Sequence, residues 1–284
     1  MMFLKKKVLI FLIFGDIIIM YIFSLTGVKI MVERRFEKRN IIDIIVAFGS
    51  VLVLVILNLL FKHFGQEFFG GGDIIAGLAD IFATVVSIGC PILILHFFTS
   101  KKEKILPYDE FSFRAVFGYM FLVLGIGYIF RICYAHLATF LSFIQPNDIR
   151  NKGFLVLFLY FVSSVVLPSI LEEILYREKL FEIIFEQKLP ALITVLLFAF
   201  SHSGIHSIVN AFIFGFLLQY VYLNSRRLGY CIFIHFINNL IAFLAAIADE
   251  GSILFHITYV IPYVFAVTFI IFAGAVLIKR KIKS

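Results

Sequence analysis

Two adjacent carboxylates, Glu172 and Glu173, end an apolar run of about a membrane's length in the stretch Leu171-Glu172-Glu173-Ile174-Leu175-Tyr176-Arg177. An ionised carboxylate in hydrocarbon costs about 2.5 kcal/mol or more, so the pair needs either partners or a task. On a helix, Glu173 and Arg177 lie four apart and share a face, whereas Glu172 points elsewhere and has no local counter-ion. One reading is a structural ion pair at the membrane surface, with Glu172 dipping into water at the helix end. The other gives Glu172 a chemical task.

Two later apolar runs also carry polar groups. Phe198 and His202 are four apart, with His206 a further four residues on, and His235 and Asn239 share a helical face at the same spacing. Taken singly, His202, His235 or Asn239 fits an interhelical hydrogen bond of the kind that ties membrane bundles together. Taken with Glu172, they make up a general base, a base orienter and two hydrogen-bond donors, which is the inventory for hydrolysing an amide. If each run starts at the membrane surface, Glu172 and His235 lie near one side. His202 lies deeper, roughly 18 Å along its helix from Pro190, so a single site needs a tilted span or an inward-reaching cavity.

The elements that must position these residues are membrane spans. The chain is 62% hydrophobic and only 15% charged, with a mean hydropathy of +1.05, far from the roughly 25% charged residues of a globular protein. Apolar runs fall at about 8–28, 41–61, 74–98, 115–143, 154–175, 190–206, 207–223, 230–248 and 253–278. The expected fold is all-α, a polytopic transmembrane bundle of about 8–9 spans forming a single membrane domain over 1–284. The runs on either side of Ser201 to Ser207 are short and polar where they meet, as in a broken or re-entrant pair lining a cavity. The N-terminal Lys5-Lys6-Lys7 and the apolar residues after it imitate a secretory signal, but without an A-x-A site they read as an uncleaved first span.

Other features carry less. Cys90, Cys133 and Cys231 are spread over different runs and read as packing residues. The net charge of +7 comes from Lys and Arg in short loops, which act as topology signals, so nucleic acid is excluded as a partner. If all nine runs cross, most of these cations lie in loops 29–39, 101–114, 177–188 and 226–227 and in the tail after Lys279. That bias puts the C-terminus in the cytoplasm, although Lys5 to Lys7 argue the other way. In residues 1–150, whose spans have no assigned task, Asp16, Asn58 and Arg131 are intramembrane polar residues. Arg131 reads as facing a cavity or snorkelling, and Gly70-Gly71-Gly72 as a turn.

In this order, Glu172-Glu173-x-x-x-Arg177, Phe198-x-x-x-His202 and His235-x-x-x-Asn239 resemble the EExxxR, FxxxH and HxxxN motifs of the CAAX protease and bacteriocin-processing family, also called the Abi family, of intramembrane proteases. Phe214-Gly215 and the turn from Tyr222 to Gly229 resemble the family's usual connection, so the likeness covers about residues 160–245. It implies a catalytic core at 154–248 in which Glu172, with His202, activates water against a peptide carbonyl and then hands the proton to the leaving amine. By the same likeness His235 and Asn239 hold the oxyanion, Glu173 and Arg177 hold the helix end, and Phe198 packs beside His202. No cofactor is favoured. A Zn²⁺ ion held by Glu172, His202 and His235 stays open as the alternative, although His202 to His206 lacks the glutamate of HExxH and Gly204 weakens a helix there.

The function implied is an intramembrane endopeptidase of a bacterial plasma membrane. Its partners would be the lipid bilayer and a peptide or membrane-protein substrate, a leader or signal peptide among them. Two other classes stand beside it. One is a bacteriocin self-immunity factor, or a membrane partner of a sensor kinase, that cuts nothing. The other is a transporter with a proton relay, against which stands the absence of paired halves.

Overall fold

A computed structural model describes residues 41–68, 73–98, 111–138, 152–184, 190–248 and 251–283. Among these the only regular structure is helical. The helices are α1 (Ile41–Phe68), α2 (Asp73–Phe98), α3 (Phe113–Ala138), α4 (Phe154–Ile184), α5 (Pro190–Phe200), α6 (Ile205–Ser225), α7 (Leu228–Ile247) and α8 (Ile253–Lys283). The run at 8–28 with Asp16, the glycines Gly70 to Gly72 and the side chain of Asn58 lie outside the described residues.

Six helices (α2, α3, α4, α6, α7 and α8) are long and apolar enough to cross a membrane, so the chain is a multi-pass membrane protein. These six are counted among the described residues only, which leave out the run at 8–28, so the expected count of eight or nine is not confirmed. The apolar stretch Ile45–Leu57 within α1 is shorter. Helix α5 has 11 residues, roughly 16 Å against a hydrocarbon core of about 30 Å. The chain stops α5 with a tightened last turn, in which the His202 N–H donates to the Ala199 carbonyl. It then turns at Gly204, whose φ of 86° is a conformation that glycine adopts without a Cβ penalty, before α6 starts. The polar junction between the two short runs is therefore a helix break, with Ser203, Gly204 and Ile205 exposed.

Helix α4 runs on where the apolar pattern suggested an end. Residues 174–184 continue it through a wide, π-type turn at Ile174–Leu180, and Leu175, Tyr176, Leu180 and Ile184 are all buried. A first wide turn, Val162–Val166, stands just ahead of Pro168, whose ring and missing N–H disturb the regular i to i−4 ladder. This extension is covered by the otherwise unassigned first helices: Ala47, Val51 and Leu54 of α1 and Ile88 and Leu95 of α2 share one core with Leu175, Tyr176, Ile184 and Phe198. A second core joins α3, α6 and α7 through Val123, Leu124, Leu217, Leu218, Cys231 and Ile234, with Ile261 and Phe265 of α8 packed against it.

Short connections and cross-contacts fix the helix directions. Only Arg226 and Arg227 link α6 to α7, so the two are antiparallel. The Ser112 N–H donates to the Tyr230 hydroxyl at 2.7 Å, placing the start of α3 beside the start of α7. The Phe181 and Tyr222 rings meet at 5.9 Å, which brings the end of α4 to the end of α6 and makes α4 antiparallel to α7.

Candidate active site

Because α4 continues to Ile184, Glu172 lies 12 residues, roughly 18 Å, inside its C-terminal end. His202 lies the same 12 residues beyond Pro190, the first residue of α5. The depth mismatch expected from the sequence disappears. Its source was the assumption that the apolar run and the helix both end at the carboxylates. The surface ion pair considered from the sequence is corrected likewise: Glu173 and Arg177 are 0% and 1% exposed.

Glu173 is the centre of the buried charge cluster. Its Oε2 pairs with Arg177 Nε at 3.2 Å, the i, i+4 pairing that the sequence predicts, and its Oε1 accepts the Nδ1–H of His235 at 2.8 Å. Arg177 also donates from Nη2 to the Gly215 carbonyl at 3.2 Å and lies over the Phe198 ring, 4.6 Å from its centroid. Fully desolvated charges are tolerable only when matched in this way. One turn earlier on α4 and one turn later on α7, Asn239 Nδ2 donates to Ser169 Oγ at 3.4 Å, as antiparallel helices require. The Asn239 carbonyl oxygen accepts from Asn238 Nδ2 at 3.2 Å, which leaves one Nδ2 hydrogen of Asn239 uncommitted among the described residues.

Glu172 is different. It is 15% exposed, its nearest charged neighbour is His235, with Nε2 at 3.9 Å from Oε2, and among the described residues it makes no hydrogen bond. His202 donates Nδ1–H to the Phe198 carbonyl at 2.9 Å, which in the neutral ring puts the lone pair on Nε2. Phe198 ties the members together: its ring lies 4.9 Å from His202, 6.3 Å from His235 and 5.2 Å from Tyr176. Gly215 makes room for it, since a Cβ there would stand 2.6 Å from Phe198 Cδ1.

All seven residues singled out by spacing thus lie in one connected neighbourhood where α4, α5, α6 and α7 meet. His206 lies apart, its Nδ1 hydrogen-bonded to the Tyr134 hydroxyl at 2.7 Å. Among the described residues no three His, Cys, Asp or Glu side chains converge as a metal-holding group.

Residues 154–241, from the start of α4 to the second half of α7, match the family model for type II CAAX prenyl endopeptidase Rce1-like proteins. This segment is similar to Rce1-like proteins. The match agrees with the resemblance carried by the three motifs, and it supports a CAAX-protease-like intramembrane enzyme. No curated protein and no solved structure matches the chain.

Spacing alone did not give Ser169, Phe214, Gly215 or Asn238 a place in the site. Ser169 had a usable signal, since it stands one turn before Glu173 on the same face. Phe214, whose ring lies 5.2 Å from His235, and Gly215 act through contacts across helices, and their only signal was the resemblance to the family's usual connection.

Proposed function

We propose that the Rce1-like segment hydrolyses a peptide bond of a membrane-associated peptide or membrane protein, with residues 154–248 as the catalytic core of one membrane domain. The observation that carries this reading is the contrast between the two adjacent glutamates. Glu173 is fully buried and held by Arg177 at 3.2 Å and by the His235 Nδ1–H at 2.8 Å, whereas Glu172 is partly exposed, accepts no hydrogen bond among the described residues and has only His235 Nε2 near it at 3.9 Å, so Glu172 is the base with room to act.

In this mechanism a water sits between the Glu172 carboxylate and the His202 Nε2 lone pair. Glu172 takes one proton as the water oxygen bonds to the carbonyl carbon. The oxyanion that forms accepts N–H groups from His235 Nε2 and Asn239 Nδ2. His235 donates from Nε2 when both ring nitrogens are protonated. In that state two carboxylates, Glu172 and Glu173, face two cations, Arg177 and His235, and the buried cluster is neutral. The carbon–nitrogen bond then breaks, Glu172 returns its proton to the leaving amine, and the products are a carboxylic acid and an amine. Glu173, Arg177 and Phe198 position His235 and His202. The chain's own donors are sufficient for every step, so none is routed through a metal; Glu172, His202 and His235 are the residues that would hold Zn²⁺ in the alternative.

We further propose a bacterial plasma membrane with the cytoplasm on the side of the Arg226-Arg227 turn, where Arg114 at the start of α3 and Lys179 near the end of α4 add to the positive charge. The test is a comparison of membrane and culture peptides, by mass spectrometry, between cells expressing wild type and Glu172→Gln at equal level. Peptides present only with wild type are the expected result and name the cut sites. Matching profiles would overturn the proteolytic reading and favour an immunity or signalling-partner role. Purified wild type that keeps its activity with chelator supports the glutamate mechanism, and loss restored by zinc overturns it.

A further inference from the structure

A second polar site adjoins the first. Arg131 of α3 lines an open-sided cavity together with Tyr128, Asn210, Phe214 and Asn238. Its guanidinium lies 5.4 Å from the Tyr128 ring centroid, and among the described residues no carboxylate pairs with it. An arginine inside a membrane bundle is costly without an anion, and a cation–π contact recovers only part of that cost. Two further polar atoms of the cavity wall, Asn210 Oδ1 and the Tyr128 hydroxyl, are buried without a hydrogen-bond partner. The hydroxyl can donate, so guanidinium and hydroxyl together form a donor pair suited to carboxylate oxygens, while Asn210 Oδ1 can accept only from a protonated group.

The cavity is coupled to the catalytic neighbourhood on two sides. Phe214, one of its walls, packs against His235 at 5.2 Å, and Asn238, another wall, donates to the Asn239 side chain at 3.2 Å. Asn210 and Asn238 stand about one helical turn from Phe214 and His235 respectively, so the cavity is displaced from the oxyanion position by roughly 5 Å plus the reach of Arg131. An extended peptide covers that distance in about one to three residues.

From this geometry we infer that Arg131, with Tyr128, binds a carboxylate of the peptide substrate within about three residues of the bond to be cut. Assigning the anion to a peptide rests on the proteolytic reading above. The carboxylate is either the peptide's C-terminus or an Asp or Glu side chain, and Arg131 would set which peptides are aligned at Glu172.

The experiment uses the full chain carrying Glu172→Gln, in phosphatidylcholine nanodiscs, and three dye-labelled tetraleucine probes read by fluorescence anisotropy. One probe has a free C-terminal carboxylate, one a C-terminal amide, and the third is the amide with a single leucine replaced by glutamate. One of the two acidic probes should bind about tenfold or more tightly than the plain amide, and the one that does identifies the source of the carboxylate. Arg131→Gln should abolish that preference and Arg131→Lys should keep part of it. The exposed control Arg114→Gln, with the same change in net charge, should keep all of it. Equal binding of the three probes, or a preference that survives Arg131→Gln, overturns the inference. If Arg131→Gln fails to fold, the three-probe comparison with Arg131→Lys still decides. Failure of the proteolytic reading is read separately, as absence of Glu172-dependent cleavage by wild type, and does not mimic either result.

Discussion

The two sides of the polar turn of α4 carry the same residue type and opposite arrangements. On one side Glu173 is wholly enclosed, bonded to Arg177 and His235, with Arg177 tied on to Gly215 and Phe198. On the other Glu172 is partly open, accepts no hydrogen bond among the described residues and has only His235 Nε2 beside it at 3.9 Å. A charge held by several close partners is scaffold, because moving it breaks several contacts at once, whereas a charge with looser contacts can exchange a proton. In the proposed mechanism the neighbouring carboxylates divide the labour between holding and reacting, and chain position alone does not say which does which.

The largest expected effect breaks the enclosed side. Glu173→Ala leaves Arg177 buried without its carboxylate and should cost about 3 to 5 kcal/mol of stability, read as a lowered unfolding midpoint in detergent. The double change Glu173→Gln with Arg177→Met should recover much of that loss; no recovery would mean that the pair does more than neutralise itself. Next comes Glu172→Gln, which should lower cleavage about 10³-fold, equivalent to about 4 kcal/mol of barrier, while unfolding stays within about 1 kcal/mol of wild type. Equal destabilisation by the Glu172 and Glu173 substitutions would erase the contrast.

Smaller changes sharpen it. Gly215→Ala pushes a methyl to within 2.6 Å of Phe198 Cδ1 and should cost about 1 to 3 kcal/mol, with activity falling as Phe198 shifts against His202 and His235. Ser169→Ala removes only the 3.4 Å contact to Asn239, so it should change stability by about 0.5 to 1 kcal/mol and lower kcat a few-fold with KM unchanged. A KM effect instead would place Ser169 in substrate binding.

Much of the site was legible because helical spacing is a local rule. Glu173 with Arg177, Phe198 with His202, and His235 with Asn239 all sit at i, i+4, so each pair shares a face in any bundle. The partner of Glu173 across the bundle was not legible. His235 is 62 residues away, and no periodicity connects it with Glu173 rather than Glu172. The apolar run and the helix end at different places for a related reason: charged residues normally mark the end of a span, but here Glu173 and Arg177 pair inside the bundle, and the helix continues with Leu175, Tyr176, Leu180 and Ile184 buried. Arg131 was visible as an intramembrane cation, and its cavity walls come from α3, α6 and α7 together.

By itself the sequence determined the class of the molecule, a helical membrane protein, because only runs of apolar residues with internally bonded backbones are stable in hydrocarbon. It also determined which side chains share a helix face. Tertiary structure alone decided the depth of the carboxylates, the enclosure of Glu173 and the freedom of Glu172. These depend on which helices pack side by side, and in a bilayer that choice is made by close fits such as Gly215 against Phe198 and by hydrogen bonds such as His235 to Glu173, which sequence spacing does not encode.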